Sequence, residues 1–164
     1  MNLHEALEEI RQWIGDRKAT SPYTKEGCRV SMANIPSERV VLDVDIAFPT
    51  DRTDTNQCDL ILFYIDDIQN SLVSVPMELK GSPDATKISK QLQAGAHIID
   101  GLVPSTVKTD CVPVMFHRKK IHKAQLKKLR TSRITFRGAE FPINTQRCGH
   151  QGNLAQALAK SSKR

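Results

Sequence analysis

The stretch DLILFYIDDIQNSLVSVPMELK, residues 59–80, decides how the chain folds. Its first part, Leu60-Ile61-Leu62-Phe63-Tyr64-Ile65, is apolar at every position, as expected for a central strand that is buried on both faces. The polar turn Gln69-Asn70-Ser71 then predicts an antiparallel return of the chain. The segment therefore predicts a hairpin at the centre of a sheet.

In the second strand of this hairpin, apolar and polar side chains alternate. A period of two places one apolar set on a shared face, namely Val73, Val75, Met77 and Leu79. Glu78 and Lys80 then project together from the opposite face, away from those core residues. Pro76 cannot donate a ladder hydrogen bond, so an edge position or a bulge is expected there.

Regular patterns precede the hairpin. A helical period over residues 3–14, ended by Gly15, predicts an amphipathic first helix. Residues 16–37 show no sustained period and are expected to form a loop, within which 28–33 could be a short strand. Alternation over residues 40–48 predicts a strand with one buried face.

Further patterns follow the hairpin. Ser82-Pro83 has the residue types of an N-cap and a first helical residue, and apolar residues recur at helical spacing from there to Gly101. Beyond that helix the pattern predicts a strand over 111–116, a short basic helix over 124–129 and a hairpin around Arg137-Gly138 over 133–143. The last dozen residues are expected to form a helix or to fray. The order helix, three antiparallel strands, helix, strand predicts an α/β domain.

This order brings two carboxylates together. Asp59 begins one strand and Glu78 lies near the end of its hairpin partner. Magnesium prefers hard oxygen ligands and retains several waters, so two carboxylates and a backbone carbonyl suit it. Such an ion would acidify water and neutralise charge on a phosphate under in-line attack. Lys80 could orient the water, favour hydroxide or stabilise the phosphate, and the sequence leaves these three roles open.

A family resemblance rests on these residues. Cys58-Asp59, a spacing of 19 residues and Met77-Glu78-Leu79-Lys80-Gly81 resemble the bipartite motif of the PD-(D/E)xK nuclease superfamily, which includes restriction endonucleases, RecB-like exonucleases and archaeal Holliday-junction resolvases. The resemblance implies a restriction-endonuclease-like αβββαβ core over residues 1–118, with a mixed sheet flanked by helices. A basic C-terminal extension, 119–164, is expected to pack on the same domain. The implied ion is Mg²⁺ or Mn²⁺, and its implied ligands are Asp59, Glu78 and the backbone carbonyl of Leu79.

Two more positions follow from the resemblance. Gln91 matches a Gln that contacts metal-bound water or nucleic acid in the family, which makes the implied catalytic set Asp59, Glu78, Lys80 and Gln91. Gly95 stands where the QxxxY form of the motif has Tyr. An acidic residue of the first helix often completes the metal shell in the family, and Glu9 is the first choice, with Glu8 and Glu5 as alternatives.

Charge is distributed unevenly along the chain, whose net charge is +6. Residues 1–110 hold 11 Lys/Arg against 17 Asp/Glu, a balance of −6, whereas residues 111–164 hold 13 against Glu140 alone, a balance of +12. A polyanion held by the basic half is expected. The charge pattern leaves DNA versus RNA open, and the family resemblance favours DNA. The expected phosphate contacts are Arg118, Lys119, Lys120, Lys123, Lys127, Lys128, Arg130, Arg133 and Arg137.

The four cysteines show no CxxC pair or other zinc-ligand spacing, so reduced and mostly buried thiols are expected. Cys148-Gly149-His150 could hold one edge of a metal site but lacks a matching second pair. The absence of a secretory leader and of a long apolar run predicts an intracellular, cytoplasmic protein without a membrane partner.

Together these features predict a divalent-metal-dependent hydrolase of DNA phosphodiesters. The expected activity is that of an endonuclease in restriction, repair or antiviral defence, with a homodimer or a partner protein supplying the choice of target. The alternative is a nucleic-acid-binding subunit that keeps the nuclease-like fold without catalysis. Metal-dependent turnover at retained binding distinguishes the two.

Overall fold

The computed structural model describes residues 1–50, 56–81, 83–149 and 153–162. The strands are β1 Tyr23–Lys25, β2 Cys28–Val30, β3 Arg39–Asp43, β4 Leu60–Asp66, β5 Ser71–Lys80, β6 Thr109–Cys111, β7 Val114–His117, β8 Arg133–Phe136, β9 Ala139–Pro142 and β10 Asn144–Arg147. The helices are α1 Leu3–Ile14, α2 Val44–Ala47, α3 Ala85–Leu102, α4 Lys123–Thr131 and α5 Asn153–Ser162. No helix in these ranges is long and apolar enough to cross a bilayer.

A six-stranded mixed sheet forms the centre of the molecule. Its main path runs β10-β7-β5-β4-β3, and β6 pairs with β5 beside β7. The chain segments β3, β4 and β5 are antiparallel neighbours, whereas β5, β7 and β10 are parallel to one another. This confirms an α/β protein with a mixed sheet flanked by helices.

Both faces of the sheet are covered. α1 and α3 pack on one face, in a cluster that includes Ala6, Ile10, Phe63, Ile88 and Leu92. The β1–β2 hairpin and α5 pack on the other, in a cluster that includes Cys28, Val30, Val75, Leu79 and Leu154. Because both faces are covered, β5 is buried at every position from 71 to 79. The predicted central hairpin is confirmed, with a register from Leu60↔Met77 to Asp66↔Ser71.

Pro76 was expected at an edge or a bulge, and that prediction is wrong. It lies in β5, in the middle of the sheet, paired with Ile61 of β4. The backbone N–H of Val112 donates to the Ser74 carbonyl, so the even-numbered residues of β5 direct their backbone groups toward β6 and β7. Pro76 faces the gap between β6, which pairs up to Ser74, and β7, which pairs from Met77. Neither strand has a carbonyl there that needs an N–H from residue 76, so the proline is tolerated.

The strand predicted over residues 40–48 ends early. β3 stops at Asp43, whose side-chain carboxylate accepts a hydrogen bond from the Ile46 N–H at 3.3 Å and caps the one-turn helix α2. A capping side chain overrides the apolar alternation because it satisfies an N–H that a helix start leaves free. The N-cap of α3 also differs: Ser82 lies outside the described residues, and Asp84 caps the helix.

The C-terminal third contributes to the central sheet. The predicted basic helix and the hairpin around Arg137-Gly138 are present as α4 and β8–β9, while the strand predicted over 111–116 is split at Pro113 into β6 and β7. β10 was not predicted, because Asn144-Thr145-Gln146-Arg147 has no apolar alternation. It nevertheless pairs along its whole length with β7.

Two of the four cysteines are not free thiols. Cys28 and Cys148 form a disulfide that joins β2 to the segment after β10 across 120 residues of sequence, so the expectation of four reduced thiols is wrong for this pair. Cys58 and Cys111 are free and buried, as expected. Cys148 is therefore not a metal ligand, and His150 lies outside the described residues.

Candidate active site

The hairpin β4–β5 brings Asp59 and Glu78 together. Asp59 precedes β4, and its backbone N–H donates to the Met77 carbonyl at 3.0 Å. Its side-chain Oδ2 accepts a hydrogen bond from the Leu79 N–H at 2.8 Å. This contact turns the Asp59 carboxyl toward β5, where it hydrogen-bonds the carboxyl of Glu78.

Two carboxyls in contact share a proton. Glu78 is 1% exposed, and burial, followed by the charge of Asp59 and their mutual hydrogen bond, raises the pKa of Glu78 to about 10. Burial also raises the pKa of Asp59. Glu78 is therefore protonated at neutral pH, and the two carboxyls titrate as a unit. A bound cation would replace that proton.

The position of Glu78 corrects one expectation. Alternation within β5 predicted that Glu78 points away from the core, but α3 covers this face of the sheet and buries the side chain. Sequence alternation separates the two faces of a strand and does not reveal that both are covered. The carboxyl therefore lies inside the protein.

Lys80 lies beside the carboxyl pair, as predicted. Its Nζ is 3.5 Å from Glu78 Oε1 and 3.7 Å from Glu26 Oε2. Burial opposes the charge of this ammonium, but Glu78, Glu26 and Asp59 outweigh burial and raise the pKa of Lys80. The group therefore remains a cation at the carboxyl pair.

Gln91 lies on the buried face of α3, only 5% exposed. Because α3 connects the parallel strands β5 and β7, it runs in the opposite direction to both. A Cβ added to Gly95 would contact Pro76, so Gly95 lies opposite Pro76. Gln91 is one helical turn before Gly95 and therefore lies further along β5, at the level of Glu78. Gln91 Oε1 and Glu78 Oε2 are both buried without a hydrogen-bond partner among the described groups.

Gly95 itself has a structural reason to differ from the Tyr of the QxxxY form. A Cβ at this position would lie 2.7 Å from Cys58 Sγ and 2.8 Å from Pro76 Cβ. Both neighbours belong to the buried sheet face and leave no room for a side chain. The helix consequently packs closer to the sheet at Gly95 than a Tyr would permit.

The β1–β2 hairpin supplies charged residues that sequence reasoning missed. Lys25 Nζ lies 3.3 Å from Asp43 Oδ2 and 3.6 Å from Asp45 Oδ2. Glu26, at the turn, pairs with Lys80. Residues 16–37 were expected to be a loop because they lack a period, and the only local signal of a turn here was Gly27.

The acidic residues of α1 do not reach this site. Glu9 is exposed, and within the described residues it forms no metal-ligand group with Asp59 and Glu78, so its predicted place in the metal shell is not supported. Glu8 pairs with Arg11 at 2.6 Å, and Glu5 accepts a hydrogen bond from the Asn2 amide. The helix presents its buried side, Ala6 and Ile10, to the sheet, so its carboxylates face outward.

The predicted phosphate contacts form a mostly exposed set. Arg118 and Lys119 donate backbone N–H groups to Lys80 and Gly81, so the basic segment begins at the candidate site. It continues through exposed Lys120, before α4, and exposed residues of α4 and β8, namely Lys123, Lys127, Lys128, Arg130 and Arg133. Arg137 differs: its guanidinium pairs with Asp100 at 2.9 Å and also donates to backbone carbonyls. That side chain ties the β8–β9 turn to the end of α3.

The donors at the carboxyl pair fit a magnesium-type ion better than a zinc-type ion. Within the described parts of the chain, no group of three or more His, Cys, Asp or Glu is placed to hold a metal. Two carboxyls are nevertheless sufficient for an ion that retains water ligands. The unpartnered oxygens of Glu78 and Gln91 are the acceptors that such an ion and its waters would satisfy.

Comparison with known proteins returned no match to any protein-family profile, curated protein or solved structure.

Proposed function

We propose that the chain is a divalent-metal-dependent nuclease of the PD-(D/E)xK type that hydrolyses DNA phosphodiesters. One observation carries the proposal: the carboxyls of Asp59 and Glu78 meet in a buried position with the Lys80 ammonium 3.5 Å from Glu78. The sequence of elements α1, β3, β4, β5, α3 and β7 supports the finer assignment to a restriction-endonuclease-like αβββαβ core.

Asp59, Glu78 and the Leu79 carbonyl would hold Mg²⁺ or Mn²⁺. The Leu79 N–H already donates to Asp59, and a residue in a strand directs its N–H and carbonyl to the same side. When bound there, the cation supplies Lewis acidity toward water and phosphate. Glu9 is not part of this proposal because it is exposed on α1.

Lys80 stabilises the negative charge that develops on the phosphate. Its raised pKa keeps it protonated, and its ammonium lies between the carboxyl groups of Glu78 and Glu26. A fixed ammonium beside developing charge costs no reorganisation during the reaction. Gln91 positions the attacking water through its unpartnered oxygen. In the hydrolysis, the water oxygen bonds to phosphorus, one ester P–O bond breaks, and a proton from the water passes to the leaving oxygen.

The exposed basic segment binds the DNA backbone. Each neutralised phosphate releases counterions, so affinity falls with salt at a slope of about −0.9 per contact on duplex DNA. The proposed role is that of an endonuclease in restriction, repair or antiviral defence. DNA is favoured over RNA, and target choice comes from a homodimer or a partner protein.

The test is cleavage by matched variants. Wild-type protein is expected to cut plasmid or linear DNA with Mg²⁺ or Mn²⁺ and to stop when the ion is chelated. Asp59→Asn and Lys80→Met should retain fold and DNA binding but lose turnover. Lys90→Met removes an exposed cation from α3 and should cleave normally. Cleavage that survives the changes at positions 59 and 80 excludes this site.

A second function, a non-catalytic nucleic-acid-binding subunit, draws on a different observation. The charges at the site satisfy one another: Lys80 pairs with Glu78 and Glu26, while Lys25 pairs with Asp43 and Asp45. A network of this kind can be structural. Salt-sensitive binding without turnover on duplex, single-stranded or branched DNA, or on RNA, would establish this alternative.

A further inference from the structure

A cavity of about 450 Å³ adjoins the candidate active site. It lies among the turn of the β1–β2 hairpin, the end of β5, the start of α3 and the residue after β7. Its charged and turn residues are Lys80, Lys87, Arg118, Glu26, Asp84 and Gly81. A volume in this range suits a small ligand or one part of a larger one.

The Arg118 guanidinium has open space around it and is in no ion pair with the acids of the cavity within the described residues. Its backbone N–H donates to the Lys80 carbonyl at 3.1 Å, which fixes it beside the carboxyl pair. Its Nη1 lies 2.8 Å from where a Cβ of Gly27 would be, and its Nη2 3.8 Å from that of Gly81. Two glycines thus leave room for the guanidinium, which forms no ion pair within the described ranges.

Asp84 and Glu26, the two acids of the cavity, differ in the contacts they make. Asp84 Oδ1 accepts hydrogen bonds from the N–H groups of Thr86 and Lys87 at 3.1 and 3.2 Å, so this carboxylate serves as the cap of α3. Glu26 is largely exposed, with 59% of its side chain accessible, and its one ion pair in the described chain is with Lys80. The Glu26 side chain can therefore move out of the cavity without disrupting a helix or strand.

The cavity offers charge rather than a surface for a base. Ile88 is the one large apolar side chain along its wall in the described chain, and no aromatic ring lines it. Nucleobases are usually held by aromatic stacking, whereas phosphate is held by cations and by the forked donors of Arg. The lining therefore matches a phosphate group and not a base.

We propose that this cavity binds a phosphate group of the substrate strand next to the bond that is cut, with Arg118 as its principal donor. Lys80 is shared between the two sites and Lys87 adds charge from α3. Glu26 occupies the phosphate position in the free protein and competes with the ligand. The assignment rests on the proposed nuclease function for the identity of the strand, while phosphate binding itself is measurable without catalysis.

Binding is tested in EDTA, so that cleavage does not contribute. The probes are short single-stranded DNAs labelled at the 3′ end, one with a 5′-phosphate and one with a 5′-hydroxyl, with inorganic phosphate as competitor. Arg118→Gln should weaken binding of at least one probe about tenfold, the loss of roughly one charge-assisted contact. Arg11→Gln removes the same charge from α1, outside the basic segment and outside the cavity lining, and should change affinity much less. Glu26→Gln should strengthen binding.

The two probes distinguish the source of the phosphate. A tenfold loss confined to the 5′-phosphorylated strand, with competition by inorganic phosphate, assigns the cavity to a strand terminus. An equal loss on both probes assigns it to an internal phosphodiester. Equal effects of Arg118→Gln and Arg11→Gln, or no gain from Glu26→Gln, would overturn the proposal. Because the readout is binding, the cavity can fail while cleavage persists, and it can stand while cleavage is absent.

Discussion

Adding a single methyl group at Gly95 tests how α3 meets the sheet, on which the placement of Gln91 depends. In Gly95→Ala the new Cβ would lie 2.7 Å from Cys58 Sγ and 2.8 Å from Pro76 Cβ. Both distances are too short for unstrained contact, and Cys58 and β5 are buried, so neither neighbour can swing aside. Overpacking of this kind costs about 1–3 kcal/mol.

The matched control is Gly101→Ala in the same helix. No atom lies within 4 Å of a Cβ added there, so that variant gains helix propensity without a clash. The gain of Ala over Gly is at most about 1 kcal/mol in a helix interior. Gly95→Ala gains the same helix propensity, but the overpacking opposes it. The two variants should therefore differ in free energy of unfolding by about 1–3 kcal/mol.

Urea denaturation followed by far-ultraviolet circular dichroism measures the difference. Gly101→Ala should be as stable as wild type or slightly more stable, and Gly95→Ala should be less stable than Gly101→Ala. If Gly95→Ala is stabilised as much as Gly101→Ala, α3 does not approach Pro76 and Cys58 as described. The placement of Gln91 beside Glu78 would then lose its basis.

Three further predictions concern stability. The folded-state pKa of Glu78 is raised from 4.5 to about 10, so its contribution to the stability of metal-free protein is complete at acid pH and is lost as pH rises through that interval. Glu78→Gln should abolish this part of the decline in the free energy of unfolding, measured by urea denaturation at a series of pH values. Parallel curves for the two proteins would refute the prediction. Replacing Cys28 and Cys148 by Ser should cost about 2–5 kcal/mol. Mass spectrometry of wild type alkylated in denaturant without reductant should find two modified cysteines, Cys58 and Cys111, and not four. Arg137→Ala should destabilise the protein, and DNA affinity at equal folding should remain within twofold of wild type, about 0.4 kcal/mol; a salt slope reduced by one contact would instead make this residue a phosphate ligand.

The sequence predicted the elements that have strong periodicity. β4 and β5 are a long apolar run and an alternating run joined by a polar turn, and α1 and α3 each carry a clear apolar stripe. The same hairpin brought Asp59, Glu78 and Lys80 together as expected. Register alone accounts for this, because the pair Leu60↔Met77 places residues 59 and 78 side by side.

The remaining features depend on contacts distant in sequence. The possible short strand over 28–33 is present as β2, Cys28–Val30. β1 and β10 are short and polar, so their position depends on the partners they meet, and the disulfide of Cys28 with Cys148 joins segments 120 residues apart. The depth of Glu78 depends on α3 covering its face of the sheet. Glu9 could be assigned only by analogy, and the rotation of α1 that buries Ala6 and Ile10 turns it outward.

Arg137 shows why charge distribution overstates a binding surface. It belongs by sequence to an unbroken basic stretch, yet it pairs with Asp100 and lies over the Phe136 ring at 5.1 Å. A count of charges cannot separate a cation that serves the fold from one that faces solvent. The exposed residues of α4 remain the better candidates for backbone contacts.

Binding of Mn²⁺, followed by calorimetry in buffers of different ionisation enthalpy, tests the carboxyl pair most directly. The account predicts that wild-type protein binds the ion with release of a proton, that affinity rises with pH, and that Asp59→Asn and Glu78→Gln each abolish binding, while Asp100→Asn leaves it unchanged. Binding that is equally tight in all four proteins, or that releases no proton, would contradict a metal held by Asp59 and Glu78.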